Sequence, residues 1–593
     1  MNAMKPAGGE LGPLPRWNLA DLYESSNAPA VDADLARAKS MAEAFRRRWE
    51  GKLAVAAGEE LAEAVRGYEA LQDLLGRPGS YAQLLYAGDM TDPAAGQFQQ
   101  TIQERITDIA AETIFFVLEL NKIDDPVLAE KLRVPALAHY RPWIETVRAF
   151  RPHQLSDEVE RLLHDKSVVG RAAWNRLFDE SLAAARFAVD GRELTIDETL
   201  NLLTNRDGAK RKAAAKALAQ GLGARKATLA LITNTLAKDK EIEDRWRHFA
   251  RPVSSRNLGN QVEDEVVDAL SKSVTAAYPR LAHRYYKIKA KWFGADRLDY
   301  WDRNAPLPED SDRKYGWAQA KAIVLGAYGG FSPDLETIVE GFFDRSWIDA
   351  GPRPGKAPGA FAHPVTASAH PYVLLNYYGR TRDVMTLAHE LGHGVHQVLA
   401  GPRGALMADT PLTLAETASV FGEMLTFRAL LASESDAKRR RILIAGKVED
   451  MLNTVVRQIA FHEFETRLHD ERRKGELTAE RIGEIWMETQ AESLGPALSF
   501  DDDYRVFWSY IPHFIHSPFY VYAYAFGDCL VNSLYAAYEA APAGFAAKYR
   551  DMLAAGGTLR HKELLAPFGL DAADPAFWNK GLGMIEGLID QLE

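Results

Sequence analysis

The chain has 593 residues, 47% hydrophobic and 26% charged, with 71 basic side chains against 82 acidic ones and a net charge of −11. That balance excludes the disordered and membrane classes and offers no basic stripe for nucleic acid. Cys529 is the only cysteine, so an intramolecular disulfide and a zinc site built from several thiolates of one chain are both excluded.

The opening MNAMKPAGGELGPLPRW lacks the apolar core of a secretion signal, and no apolar run approaches the roughly 20 residues needed to cross a bilayer. These features predict a cytoplasmic protein with no membrane and no nucleic-acid partner, as a monomer or small homo-oligomer. Most of the chain reads as helix: Asp32 to Glu50, Ala209 to Lys238 and Glu263 to Lys289 carry apolar residues at helical spacing. Residues 1 to about 195 form a helical N-terminal region, followed by a catalytic region over 196–593. The boundary falls at Arg186 to Ile196, where the Asp190-Gly191 turn separates two short runs able to pair as a hairpin.

Between Arg297 and Gly379 the composition changes. RLDYWDRNAPL, RSWIDA, GAFAHPVTA and PYVLLNYYG are short aromatic or β-branched runs broken by Gly and Pro, and they predict a small sheet in an otherwise helical protein. The Pro/Gly segment Gly351 to Gly359 reads as a surface connection or as a loop over a binding cleft.

Asp383 to Ala400, DVMTLAHELGHGVHQVLA, is a mostly buried helix by its apolar spacing. His389 and His393 lie four apart and so share one face, close enough to grip one ion. Glu390 sits on the shoulder of that face, where it can reach a metal-bound water without being a ligand. Zinc hydrolysis needs that division of labour: neutral imidazoles for the ion and a separate carboxylate for the water's proton. By chance alone the pattern would arise in roughly 3% of such chains, so its surroundings decide. Three histidines and a glutamate on an apolar helix need partners, and Gly392 and Gly394 make sense if another backbone packs close. His396 lies roughly 10 Å along the axis from His389 and is read as a supporting or packing residue.

A catalytic zinc needs a third protein ligand. The positions where one zinc class carries Gly and His hold His396 and Leu399, so that class is rejected. A carboxylate on the next helix, DTPLTLAETASVFGEML, supplies the ligand instead. Thr410 and Pro411 are expected as its N-cap and first residue. Glu416 is the expected ligand, and Glu423, seven residues on, is expected to orient a ligand histidine. In YIPHFIHSPFYVYAYAFGDC, Ser517-Pro518 reads as a helix start, with Tyr520 and Tyr524 on one face and His513 and His516 just before it. Phenol or imidazolium donors there suit the oxyanion of a tetrahedral intermediate, though a Tyr-rich helix is also ordinary core.

These motifs together resemble the oligoendopeptidase F branch of the thimet-oligopeptidase-like zinc peptidases. The similarity rests on TLAHELGHGVHQ, ETASVFGE, RSWIDAGPRPGKAPGAFAHP, PYVLLNYYG, IPHFIHSPFYVYAYAFG and the opening WNLADLY at Trp17 to Tyr23. It spans nearly the whole chain. The resemblance implies a mostly α, zincin-type helical ellipsoid with a deep central channel and a small β-sheet beside the zinc helix. It implies one zinc per chain on His389, His393 and Glu416, and Glu390 as base. It also implies hydrolysis of internal bonds of short unstructured peptides. His513 and the tyrosines Tyr524 and Tyr520 match the segment contacting substrate and oxyanion, with Tyr524 the first choice. Ile515 departs from the family, where a Tyr is common. A metallocarboxypeptidase would need a basic group for the substrate carboxylate, which the sequence does not single out. A peptide-binding protein with a dead site would not need Glu390.

Overall fold

The computed structural model describes residues 11–307 and 313–593; the first ten residues, inspected above for a leader, lie outside it. Helices dominate the described residues, and none is long and apolar enough to cross a membrane. The chain divides into two compact units that interleave along the sequence. One comprises 11–151, 313–433 and 538–569; the other comprises 152–307, 434–537 and 570–593.

In the first unit an N-terminal helical layer buries Phe45, Trp49, Leu61, Val65, Phe116 and Ile144 in one apolar cluster. Part of the small sheet expected between Arg297 and Gly379 is present here as three strands. Ile348–Asp349 pairs in parallel with Tyr372–Leu374, and Phe361–His363 pairs antiparallel on the other side of that central strand. The Thr381–Ala400 helix lies beside the sheet, with Gln397 Nε2 donating to the Ala362 carbonyl at 3.3 Å. RLDYWDRNAPL is not part of this sheet. Leu298–Asp299 instead pairs with Leu498–Ser499, two hundred positions away in the second unit, a partner that local pattern cannot reveal.

The Gly351–Gly359 segment is tied down from below. Lys356 is fully buried and its ammonium meets Asp349 Oδ1 at 2.7 Å and the carbonyls of Asp349, Gly351 and Leu375. Arg353 grips both oxygens of the same carboxylate. A buried ion pair stabilises only when its remaining hydrogen-bonding capacity is met, and here it is.

The second unit contains the Asp190-Gly191 hairpin, with Phe187–Val189 paired antiparallel to Arg192–Leu194. Two of the long helical windows are interrupted. Ala209 to Lys238 splits into Gly208–Gly223 and Lys226–Trp246, where Gly221 lets the first helix approach the Phe187 ring. Glu263 to Lys289 breaks at Tyr278–Arg280, because Pro279 has no amide hydrogen to continue the ladder.

Candidate metal centre

Six residues of the first unit converge from two helical segments: His389, Glu390, His393, Glu416, Ser419 and Glu423. His389, Glu390 and His393 ride on Thr381–Ala400. Glu416 does not lie within a continuous helix as expected. Pro411, rather than Thr410, is the cap of a single turn, Leu412–Ala415, and the main helix restarts at Thr417–Ser433. Glu416 sits at the break with φ −81° and ψ 0°, in the bridge region where many active-site residues are found. Its carbonyl accepts the Val420 amide, and Ser419 Oγ donates to its Oε2 at 2.7 Å. That serine, three residues along, is a helper the sequence reading missed; a hydroxyl within one turn of a candidate ligand is the available signal.

Close approach of the two segments is built into the glycines. A Cβ on Gly392 would stand 2.4 Å from the Ala418 carbonyl oxygen and 2.6 Å from Ser419 Cα, and one on Gly394 would enter the Phe342 ring. Gly392→Ala should therefore destabilise the protein by about 1–3 kcal/mol despite alanine's better helix propensity. The check is a lower denaturant midpoint with an unchanged slope. A midpoint equal to wild type would show that the segments can separate without cost.

The geometry suits a cation. Glu416 Oε2 lies 3.3 Å from His389 Nε2 and 3.5 Å from His393 Nε2, and one donor atom from each of the three residues falls within 4.8 Å of the others. The other ring nitrogen of His389, Nδ1, is 3.3 Å from Glu423 Oε2, the arrangement that fixes a ligand imidazole's tautomer and tilt. Two imidazoles and one carboxylate are a donor set proper to zinc. Charge points the same way. Burial opposes ionisation of Glu416, yet the neighbouring imidazoles and Ser419 hold it down to about 2. Burial likewise opposes a charged His389, but Glu416 and Glu423 raise it to about 10. The carboxylates thus call for a positive charge at this spot. His393, without a second acid, is lowered by burial to about 4.

Glu390 is only 7% exposed. Burial, helped by Glu416, pushes its carboxyl up to about 7 against the pull of His389, and the backbone of Ala362 on the sheet's edge strand lies beside it. His396 is buried on the same helix and lowered to about 4 by burial and by His393; it is not among the three clustered donors.

His513, Tyr520 and Tyr524 form a group of their own in the second unit. His513 Nε2 is 3.4 Å from the Tyr524 hydroxyl, and the rings of Tyr520 and Tyr524 stand 5.2 Å apart. The helix starts at Tyr522, not at Ser517-Pro518. The reason is Phe519, held at φ +58° with its amide donating to Glu465 Oε1 at 2.8 Å. A left-handed Phe cannot sit in a helix, so Tyr520 is on the turn and Tyr524 on the helix. Glu465 is a second helper that no local motif announced; burial pushes its carboxyl up to about 8.

Residues 333–584 match the sequence model of Peptidase family M3, and residues 119–187 match that of Oligopeptidase F. The Bacillus subtilis oligopeptidase PepF is 27% identical over 97% of this chain and 86% of its own length. An oligoendopeptidase F homologue of Borreliella burgdorferi is 25% identical over 89% of each chain. Among solved structures, a Chlamydophila abortus chain superposes with a TM-score of 0.83 at 22% identity, over 97% of this chain and 98% of that one. Oligoendopeptidase-F from Enterococcus faecium gives a TM-score of 0.69 at 21% identity, over 95% and 96%.

Proposed function

We propose that this chain, a member of peptidase family M3 and thereby a metalloendopeptidase, is a zinc oligoendopeptidase of short, unstructured peptides, with one zinc per chain held by His389, His393 and Glu416. The observation that carries this reading is the meeting of those three donors with Glu390 on the shoulder of the same helix. Zinc held by these residues would supply a Lewis acid for the scissile carbonyl and for the attacking water. Glu390 accepts the proton of the attacking water and passes it to the leaving amine as the C–N bond breaks. Glu423 holds the His389 ring, and Ser419 holds the Glu416 carboxylate. The family resemblance alone supports His513 and Tyr524, with Tyr520 as the second choice, as the hydrogen-bond donors to the oxygen that becomes negative. The names of the relatives, oligopeptidase and oligoendopeptidase, support oligopeptides as the substrate class.

The test is a digest of defined peptides with products mapped by mass spectrometry, with and without a chelator. One sequence of about a dozen residues is presented free, inside a long disordered chain, and inside a stable fold. A folded host must first open locally or globally, at a cost comparable to its stability. Internal, chelator-sensitive cleavage of the free peptide is expected, with no cleavage of the folded version. Efficient cutting of the folded host would point to a general protease instead.

A further inference from the structure

The second unit holds a group of cations that its own acids do not match. Arg303 is 9% exposed and donates from Nη1 to Asn453 Oδ1 at 3.1 Å. Its principal electrostatic neighbours are the hydroxyls of Tyr286, Tyr504 and Tyr510, with no carboxylate among them. The Arg457 guanidinium lies over the Phe461 ring at 4.9 Å, beside the Tyr510 hydroxyl. Burial and the charge of Arg303 both pull Arg457 below its ordinary value, so the two guanidinium groups feel each other.

The acids nearby are already engaged. Glu449 pairs with the buried Lys289, whose ammonium also donates to the Arg303 carbonyl. Asp302 pairs with Arg211 at 2.7 Å. Arg211 and Lys289 are thereby paired. Among the described residues neither Arg303 nor Arg457 has an acid for a partner.

The backbone is unusual at the same place. Ala437–Met451 and Arg457–Arg472 are joined by a π-helical turn, Leu452–Val456, which contains Asn453 and delivers Arg457. Such turns are rare and recur at functional sites.

We propose that Arg303 and Arg457, together with the Tyr510 hydroxyl, form an anion site that takes a carboxylate or a comparably small monoanion. An unmatched buried charge is a poor way to stabilise a core, where an apolar residue of similar volume does as well or better. Arginine's planar fork fits a carboxylate in a bidentate way that lysine's does not. Asn453, Arg457 and Tyr510 keep part of their surface open while Arg303 closes the back. The carboxylate has two sources. One is the substrate peptide, through its C-terminus or an acidic side chain, and this source rests on the peptidase reading above. The other is a free anion such as chloride or acetate, which does not.

Two measurements on the full chain separate these sources. Sodium chloride and sodium acetate are titrated into the protein with HEPES as the only other anion, and the Tm is followed. A saturable rise is expected, flattened in Arg457→Gln and Arg303→Gln. One peptide is then offered with a free and with an amidated C-terminus. A KM raised about 10-fold by amidation in wild type, and not in Arg457→Gln, assigns the site to the substrate carboxylate. A saturable anion effect with equal KM values assigns it to a free anion. No saturable effect on wild type, together with equal KM values, overturns the proposal whether or not the variants fold. A chain without peptidase activity would still report the site through its Tm, so failure of the two readings is distinguishable.

Discussion

Glu390→Gln should lower turnover by on the order of 10² to 10⁴ while leaving metal content and stability near wild type. The substitution is nearly isosteric in a site where the carboxylate is only 7% exposed, so packing is preserved. The amide oxygen can still meet the backbone of Ala362, but an amide cannot take a proton from water. None of the three clustered donors is altered, so metal analysis should return the same stoichiometry. The diagnostic pattern is a collapse of kcat with KM for a short peptide little changed, since binding does not need the base. Activity near wild type would show that another residue accepts the proton.

What could be read from the sequence was the chemistry carried by local spacing. Four-residue spacing on an apolar helix is enough to place His389 and His393 side by side, and Glu390 beside them, because helical geometry alone fixes those directions. The cost of burying a charge among Leu414, Val420 and Phe421 marks Glu416 and Glu423 alike as carboxylates in need of a partner. Gly392 and Gly394 signalled close packing, and the structure supplies the Ala418 backbone and the Phe342 ring as what they pack against. What escaped was whatever depends on residues distant in sequence. The pairing of Leu298–Asp299 with Leu498–Ser499, the capture of the Phe519 amide by Glu465 and the anchoring of the Gly351–Gly359 segment through Lys356 all need a partner that no local window contains. The break at Glu416 escaped for a related reason. LTLAETASV contains no Gly or Pro to mark a stop, and only the tertiary packing around it reveals that two helices meet there.

Glu416→Ala should remove the metal, and Glu423→Gln should not. Among the described residues Glu416 is the one carboxylate within reach of both imidazoles, at 3.3 and 3.5 Å, and without it two nitrogens remain to hold the ion. Glu423 meets the far nitrogen of His389 and acts through that ring. Loss of such an orienting group weakens metal binding by about 10- to 100-fold, whereas loss of a ligand should weaken it further still. Competition against a chelator of known affinity measures both variants on one scale, and circular dichroism checks that each is folded. Glu416→Ala carries a second expected consequence. Ser419 loses the acceptor that holds its hydroxyl at 2.7 Å, and the junction at 416 loses a restraint, so a modest drop in stability should accompany the loss of metal. His389 also becomes easier to deprotonate, because one of the two acids that raise it is gone while Glu423 remains. Glu416→Asp keeps the charge but shortens the reach, and should bind metal with an affinity between wild type and alanine. If Glu416→Ala instead keeps full metal affinity while Glu423→Gln loses it, the two glutamates have exchanged roles, and the ion lies on the Nδ1 side of His389.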